Sequence, residues 1–259
     1  MVNAYRGGGI RSTYNIMVPR FMTRTLSRLI VGAALACASC AQPDAARTVD
    51  VSAAAPQASV ERSPATAAPR IVFLGDSLTA GYGLPKEASV PALIQARLRE
   101  SGYDYDVVNA GVSGDTSAGG LNRLEWSLEG NVKVLVIELG ANDGLRGLPV
   151  ANLKQNLAEI ITRAKARGIT TVLTGMEAPP NFGAAYTSEF RGVYRALARE
   201  HQVTFVPFYL DGVAGLPHLN LADGMHPNVE GSRIIEQRIW PTLEPLLTRP
   251  ATGRERATR

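Results

Sequence analysis

The spacing of apolar positions divides the chain into a stretch without period, up to about residue 69, and a strongly patterned stretch from Arg70 to Leu247. Five short runs in the patterned part are rich in β-branched residues: RIVFLG (70–75), YDVVNA (105–110), VKVLVIELG (132–140), ITTVLTG (169–175) and VTFVPF (203–208). Such residues suit a pleated, buried surface, and most of these runs stop at turn formers, so they read as strands. Between them, apolar residues at three- and four-residue spacing predict helices over 90–101, 121–130, 150–168 and 188–202. A last helix is predicted over 229–247, with Pro241 kinking or splitting it. Strand and helix in alternation imply a parallel sheet covered on both faces, in one α/β domain of roughly 180 residues.

In a sheet of this kind the ligand site lies beyond the carboxyl ends of the strands. The polar clusters fall there: GDS after the first strand, GVSGDTS after the second, GAND after the third, and DGMHP between the fifth strand and the last helix. Ser77, in IVFLGDSLTAGYG, has two readings. One is a helix cap, its hydroxyl accepting from an orphan N–H. The other is a nucleophile: Gly75 permits a tight turn, and a helix beginning here aims backbone N–H groups at charge developing beside the serine. The G-x-S-x-G elbow of the α/β-hydrolases is excluded, because Thr79 fills the final glycine position.

A serine nucleophile needs a base, and there are three histidines. His201 ends an amphipathic helix and His218 lies in GLPHLN; both read as surface or packing residues. His226 follows Asp223 by three residues in ADGMHPN, a spacing that lets the carboxylate orient one ring nitrogen while the other faces a serine. The competing reading is an Asx-type turn with a bystander histidine. Asn142 and Asp143, in ELGANDG, serve equally as turn residues or as an amide donor with a neighbouring cap. VSGDTS (112–117) is either a glycine turn with Thr116 or Ser117 capping a helix, or a means of presenting the Gly114 N–H.

The blocks GDSL, VSGDTS, GAND and DGMHP, in this order across residues 70–247, resemble the SGNH (GDSL) hydrolase family. More narrowly, NAGVSGDTSAGGLNRL and ELGANDGLRGLP resemble its bacterial periplasmic thioesterase I, lysophospholipase and arylesterase branch. The resemblance implies a flavodoxin-like three-layer α/β/α sandwich with a five-stranded parallel sheet. It implies Ser77, His226 and Asp223 as a catalytic triad, and the Ser77 N–H, Gly114 N–H and Asn142 amide as the oxyanion hole. No metal or organic cofactor is implied, and the expected partner is a small-molecule acyl ester or thioester. The sequence departs from that branch mainly outside these blocks, and GMEAPPNFGAAYT (175–187) aligns only loosely with the segment that helps shape the branch's acyl pocket. Two other readings remain: a carbohydrate O-acetyl esterase of the cell envelope and a non-catalytic acyl-binding lipoprotein. A phosphate-binding protein is disfavoured, since no Walker-type lysine accompanies the glycine turns.

Composition changes the picture mainly for the first seventy residues. At 45% apolar and 19% charged the chain as a whole resembles a soluble globular protein. Residues 22–41, however, join a basic start to a short apolar stretch (Leu29–Ala36) and then small residues, the pattern of an export signal within a leader over 1–41. Translation starting at Met17 or Met22 fits that pattern. Cys40 is a candidate for lipid anchoring, with plain cleavage near Ala38 or Ala41 as the alternative, and both cysteines fall in the leader. Residues 42–69, rich in Ala, Pro, Ser and Thr, read as a flexible tether, and 248–259 as a disordered basic tail. The formal charge of +4 includes five arginines and no acids from residues 1–41, so the remainder stands at −1. A nucleic-acid partner is therefore not expected.

Overall fold

The computed structural model describes residues 68–249; the leader, nearly all of the tether and most of the tail lie outside the described residues. The chain runs β1 (Arg70–Gly75), α1 (Ser77–Ala80), α2 (Val90–Glu100), β2 (Asp106–Gly111), α3 (Ser117–Asn122), α4 (Leu124–Ser127) and β3 (Val132–Glu138). It continues through α5 (Ala141–Leu145), α6 (Val150–Ala166), β4 (Thr170–Thr174), α7 (Ala184–His201), β5 (Thr204–Val206) and α8 (Val229–Leu243). The five strands form one sheet in the order β2-β1-β3-β4-β5, every pair parallel. This is the flavodoxin-like order, with its switch point between β1 and β3.

Apolar periodicity decides the layers. The central strands are buried along their length: Ile71 to Leu74 in β1 and Leu135 to Ile137 in β3 have no exposed surface. Helices α2 and α8 pack together, with Val90, Ile94 and Leu98 buried on one and Ile235, Ile239 and Leu243 on the other. Helix α6 packs against α3 and α7, burying Leu153, Leu157, Ile160 and Ile161 at the spacing of one helical face. Right-handed crossovers put these two groups on opposite faces of the sheet. Each fully buried aliphatic side chain contributes roughly 1.5–3 kcal/mol, so the stability of the scaffold resides in this sandwich.

Four helical details differ from the sequence expectation. The single helix expected over 121–130 is two short helices broken at Arg123, whose backbone (φ −105°, ψ 9°) leaves the helical region. Helix α7 begins at Ala184, four residues before the expected 188, after Gly183 at φ 87°. Helix α8 runs through Pro241 rather than splitting there and ends at Leu243. Burial of Ile239, Trp240 and Leu243 holds it, and the Trp240 carbonyl still receives the Glu244 N–H. Helix α5 was not expected. At the far end the chain stays on the domain slightly beyond 247, since the Thr248 N–H donates to the Tyr105 hydroxyl at 3.2 Å and Arg249 lies 5.1 Å over the Tyr103 ring.

Register sets the height of the site. Gly75, the last residue of β1, pairs with Gly111 on one side and Glu138 on the other. Three strands thus end level, and the loops carrying GDS, VSGDTS and GAND leave them together.

Candidate active site

Ser77 enters at the first position of α1, directly after the buried Asp76. Asp76, not the serine, is the cap: its Oδ1 accepts the Leu78 N–H at 3.0 Å. Gly75 is required by close approach, since a Cβ there would lie 2.0 Å from Thr79 Oγ1 and 2.7 Å from Glu138 Oε2. Helix α1 is a single turn of four residues, so its dipole is small; what it supplies is the Ser77 N–H, which has no acceptor among the described residues.

The loop before α8 brings the histidine. Asn228 caps that helix by accepting the N–H groups of Glu230 and Gly231, both at 3.0 Å. An antiparallel bridge between Asn220 and Pro227 fixes the loop, and the Leu221 N–H donates to the His226 carbonyl at 2.7 Å. His226 Nδ1 is 2.7 Å from Asp223 Oδ2, and its Nε2 is 2.9 Å from Ser77 Oγ. The second carboxylate oxygen of Asp223 accepts the backbone N–H groups of Met225 and His226 at 2.9 and 3.0 Å. These backbone bonds, followed by the imidazole, hold the Asp223 carboxyl down to about 2. With Asp223 an acceptor only, Nδ1 carries the imidazole proton and Nε2 is free to accept from the serine hydroxyl. The tilted Tyr82 ring covers the imidazole at 4.6 Å between centroids. His201 and His218 do not line the site; their carbonyls accept from Lys165 and Asn228 respectively.

Two further loops bring amide donors to the same cavity, which Ser77, Gly114, Asn142 and His226 all line. Gly114 sits at φ 86°, a backbone state that side-chain-bearing residues rarely adopt. Its N–H has no acceptor among the described residues, while its carbonyl is held by Arg146 Nη2 at 2.9 Å. Asn142, in α5, donates one amide hydrogen from Nδ2 to Asp76 Oδ2 at 3.1 Å, which leaves the other available to the cavity.

Asp143, expected as a local cap, instead ties the two loops together. It accepts from the Ser117 N–H at 2.8 Å and from the Ser117 hydroxyl at 2.5 Å. The hydroxyl in turn accepts from Asn156 of α6 at 2.9 Å. Helix α3 is capped by Thr116, which accepts the Gly119 N–H. Arg123, at the break between α3 and α4, adds a second tie: it reaches Asp115 and the Ala110 carbonyl at 2.6 Å and the Gly75 carbonyl at 2.8 Å. Sequence reasoning passed over Arg123, Arg146 and Tyr82, because their partners are distant in sequence and no local spacing signals them.

The cavity has a volume of about 630 Å³. Beyond the polar end its walls are mainly apolar, with Met176, Pro179, Pro180, Phe208 and Leu210 prominent, and Glu177 is the acidic exception. That carboxylate is paired with Arg191 at 3.2 Å. Tyr82, Leu145 and Met225 also line the cavity while remaining about half exposed, so they form its mouth. The segment 176–180 therefore supplies a wall. No helix among the described residues is long and apolar enough to cross a membrane.

Residues 73–234 match the GDSL-like lipase/acylhydrolase family. The chain is 47% identical over 182 residues to the esterase TesA of Pseudomonas aeruginosa, a match covering 70% of this chain and 90% of that protein. It is 42% identical to an arylesterase of Vibrio mimicus, covering 68% and 89% of the two chains. With the thioesterase 1/protease 1/lysophospholipase L1 of Escherichia coli K12 the identity is 36%, over 71% of this chain and 87% of that one. A crystal structure of TesA superimposes with a TM-score of 0.66 at 47% identity, covering 69% of this chain and 99% of that chain. The strand order, the loop blocks and these likenesses agree that this chain belongs to the GDSL-like lipase/acylhydrolase family, the SGNH hydrolases.

Proposed function

We propose that this ester-bond hydrolase cleaves carboxylic esters and thioesters through an acyl-enzyme on Ser77. The observation that carries the reading is the continuous relay Ser77 Oγ, His226 Nε2, His226 Nδ1 and Asp223 Oδ2, with contacts of 2.9 and 2.7 Å. Ser77 Oγ attacks the acyl carbon as its proton passes to His226 Nε2, and the carbonyl electron pair moves onto oxygen. Asp223 keeps the imidazole in the needed tautomer and stabilises its positive charge. The oxyanion is met by the Ser77 N–H, the Gly114 N–H and the free amide hydrogen of Asn142, a preorganised set that needs no rearrangement during reaction. Collapse breaks the bond from the acyl carbon to the leaving oxygen or sulfur, which takes the proton from His226. Water then repeats the attack, with His226 as base, and releases the acid.

The apolar walls favour an acyl chain over a sugar ring, against the carbohydrate O-acetyl esterase reading. Joint presence of Ser77, Gly114, Asn142 and His226 in one cavity, with Asp223 2.7 Å from the histidine, likewise speaks against a non-catalytic acyl-binding protein. The relatives named as arylesterase and thioesterase support aryl esters and acyl thioesters as substrates. The signal-like pattern of residues 22–41 supports export to the periplasm or envelope, with Cys40 as the candidate lipid-anchor position. A fluorophosphonate probe is expected to label the protein once, on the Ser77 peptide, and to fail on Ser77→Ala. Labelling that survives in Ser77→Ala overturns the assignment. A panel of aryl, lysophospholipid and coenzyme A esters across acyl lengths then ranks the substrates.

A further inference from the structure

Glu138 is the last residue of β3 and has no exposed surface. An acid at the centre of a sheet is costly to bury unless something specific satisfies it. Its Oε2 accepts the Thr79 hydroxyl at 2.8 Å and the Asp76 N–H at 3.4 Å, and Oε1 has no partner among the described residues. Among the described residues, the charge that acts most strongly upon it is that of Asp76, an acid like itself. The Asp76 carboxylate is already engaged on both oxygens, by the Leu78 N–H and by Asn142 Nδ2, and Glu138 lies within hydrogen-bonding reach of it. A contact chain therefore runs from Glu138 through Asp76 to the amide of Asn142.

We propose that Glu138 is a positioning residue for the hydrolysis: with Asp76 it forms a buried acid pair beneath the oxyanion hole that fixes the Asn142 amide and the first turn of α1. The proposal rests on the reading of Asn142 as an oxyanion donor. Two adjoining buried carboxyl groups do not both carry charge in a dry site, so the pair retains one proton. Burial, followed by the charge of Asp76, pushes Glu138 well above the usual carboxyl range, whereas Asp76 is raised by burial to about 6. At neutral pH Glu138 is therefore the neutral member, able to donate to Asp76. That state also limits the negative charge beneath the developing oxyanion. Loss of the last proton at alkaline pH puts a second charge there and removes the donor that steadies Asp76.

The other titratable groups facing the pair are Tyr194 of α7, Tyr209 after β5 and His226 before α8. Burial pushes both tyrosines well above their ordinary range, and His226 acts on Asp76 from the cavity side. None is positioned to replace the shared proton, because the tyrosines remain neutral until strongly alkaline pH and His226 is committed to Ser77 and Asp223.

The test uses Glu138→Gln, Glu138→Ala and Asn142→Ala in the full chain, with kcat, KM and melting temperature followed from pH 5 to 10. Glutamine keeps a donor toward Asp76 and cannot ionise; the expected result is kcat within about threefold of the parent at pH 7 and a weakened alkaline decline. Its melting temperature relative to the parent should rise with pH. Glu138→Ala should lose at least about tenfold in kcat with KM little changed. If alanine does not fold, the pH dependence of the glutamine variant alone decides. An alkaline decline identical in the parent and Glu138→Gln overturns the proposal, as does an alanine variant with parental kcat. If Asn142→Ala is itself fully active, the oxyanion assignment fails and this proposal with it. Loss in Asn142→Ala with no effect at Glu138 rejects the positioning role alone.

Discussion

Asp223 and Asp76 are the same side chain, one reaching the Ser77 hydroxyl through His226 and the other preceding Ser77 in the chain, and their surroundings push them in opposite directions. Asp223 lies in a loop with its side chain about a third exposed, and two backbone N–H groups hold it down to about 2. Asp76 is fully buried at the end of β1, and burial lifts it to about 6 despite the Leu78 N–H and Asn142 amide. The exposed loop thus holds a permanent negative charge that orients and supports a histidine. The buried floor holds acids whose charge is restrained beneath the proposed oxyanion site. One fold obtains two behaviours from carboxylates chiefly through hydration and the hydrogen-bond donors around each.

The comparison breaks most visibly at the loop. His226→Ala removes the proposed base, with an expected loss on the order of 10⁵- to 10⁶-fold in kcat, measured on an aryl ester. Asp223→Asn retains the shape but lets the imidazole adopt the wrong tautomer, so a loss of roughly 10⁴-fold is expected. The floor should show a smaller effect on the same substrate. Asn142→Ala deletes one proposed oxyanion donor and should cost about 10²- to 10³-fold in kcat, roughly 2.7–4 kcal/mol, with the fold retained by circular dichroism. If its effect falls on KM instead, Asn142 binds the ground state and the division between floor and loop fails. Tyr82→Ala uncovers the imidazole and should cost only about 0.5–1.5 kcal/mol in kcat/KM, the range for a ring–ring contact.

Melting temperature against pH sharpens the contrast further. The depressed Asp223 contributes stability that is present above the ordinary carboxyl value, near 4, and is lost as pH falls through about 2. The raised Asp76 does the reverse: its contribution is complete below about 4 and is lost as pH rises through about 6. Asp223→Asn should therefore flatten the acid limb, weakly because that carboxylate is partly hydrated, and Asp76→Asn the limb around pH 6. Similar shifts in both variants would remove the distinction between the two sites.

How much of this was legible in the sequence follows the range of each interaction. The five strands and the pair Asp223 and His226 announce themselves locally, by β-branched runs and by a three-residue spacing. Ser77, Gly114 and Asn142 could be singled out because each stands where a strand ends. The break at Arg123 could not, since the guanidinium spans the Gly75 and Ala110 carbonyls and Asp115, a set of partners that exists only after β1 and β2 pair. Glu138 was hidden in the same way: in VKVLVIELG it reads as the polar end of a strand, and its partners Thr79 and Asp76 are 59 and 62 residues away. The split expected as one outcome at Pro241 does not occur, because tertiary burial of Ile239, Trp240 and Leu243 outweighs the local penalty of a proline.

The central claim is that the Ser77 hydroxyl is the nucleophile, and turnover of p-nitrophenyl butyrate by purified Ser77→Ala tests it most directly. The account predicts a folded protein with a melting temperature close to the parent and a loss on the order of 10⁵- to 10⁶-fold in kcat. Parental turnover by that variant would contradict it.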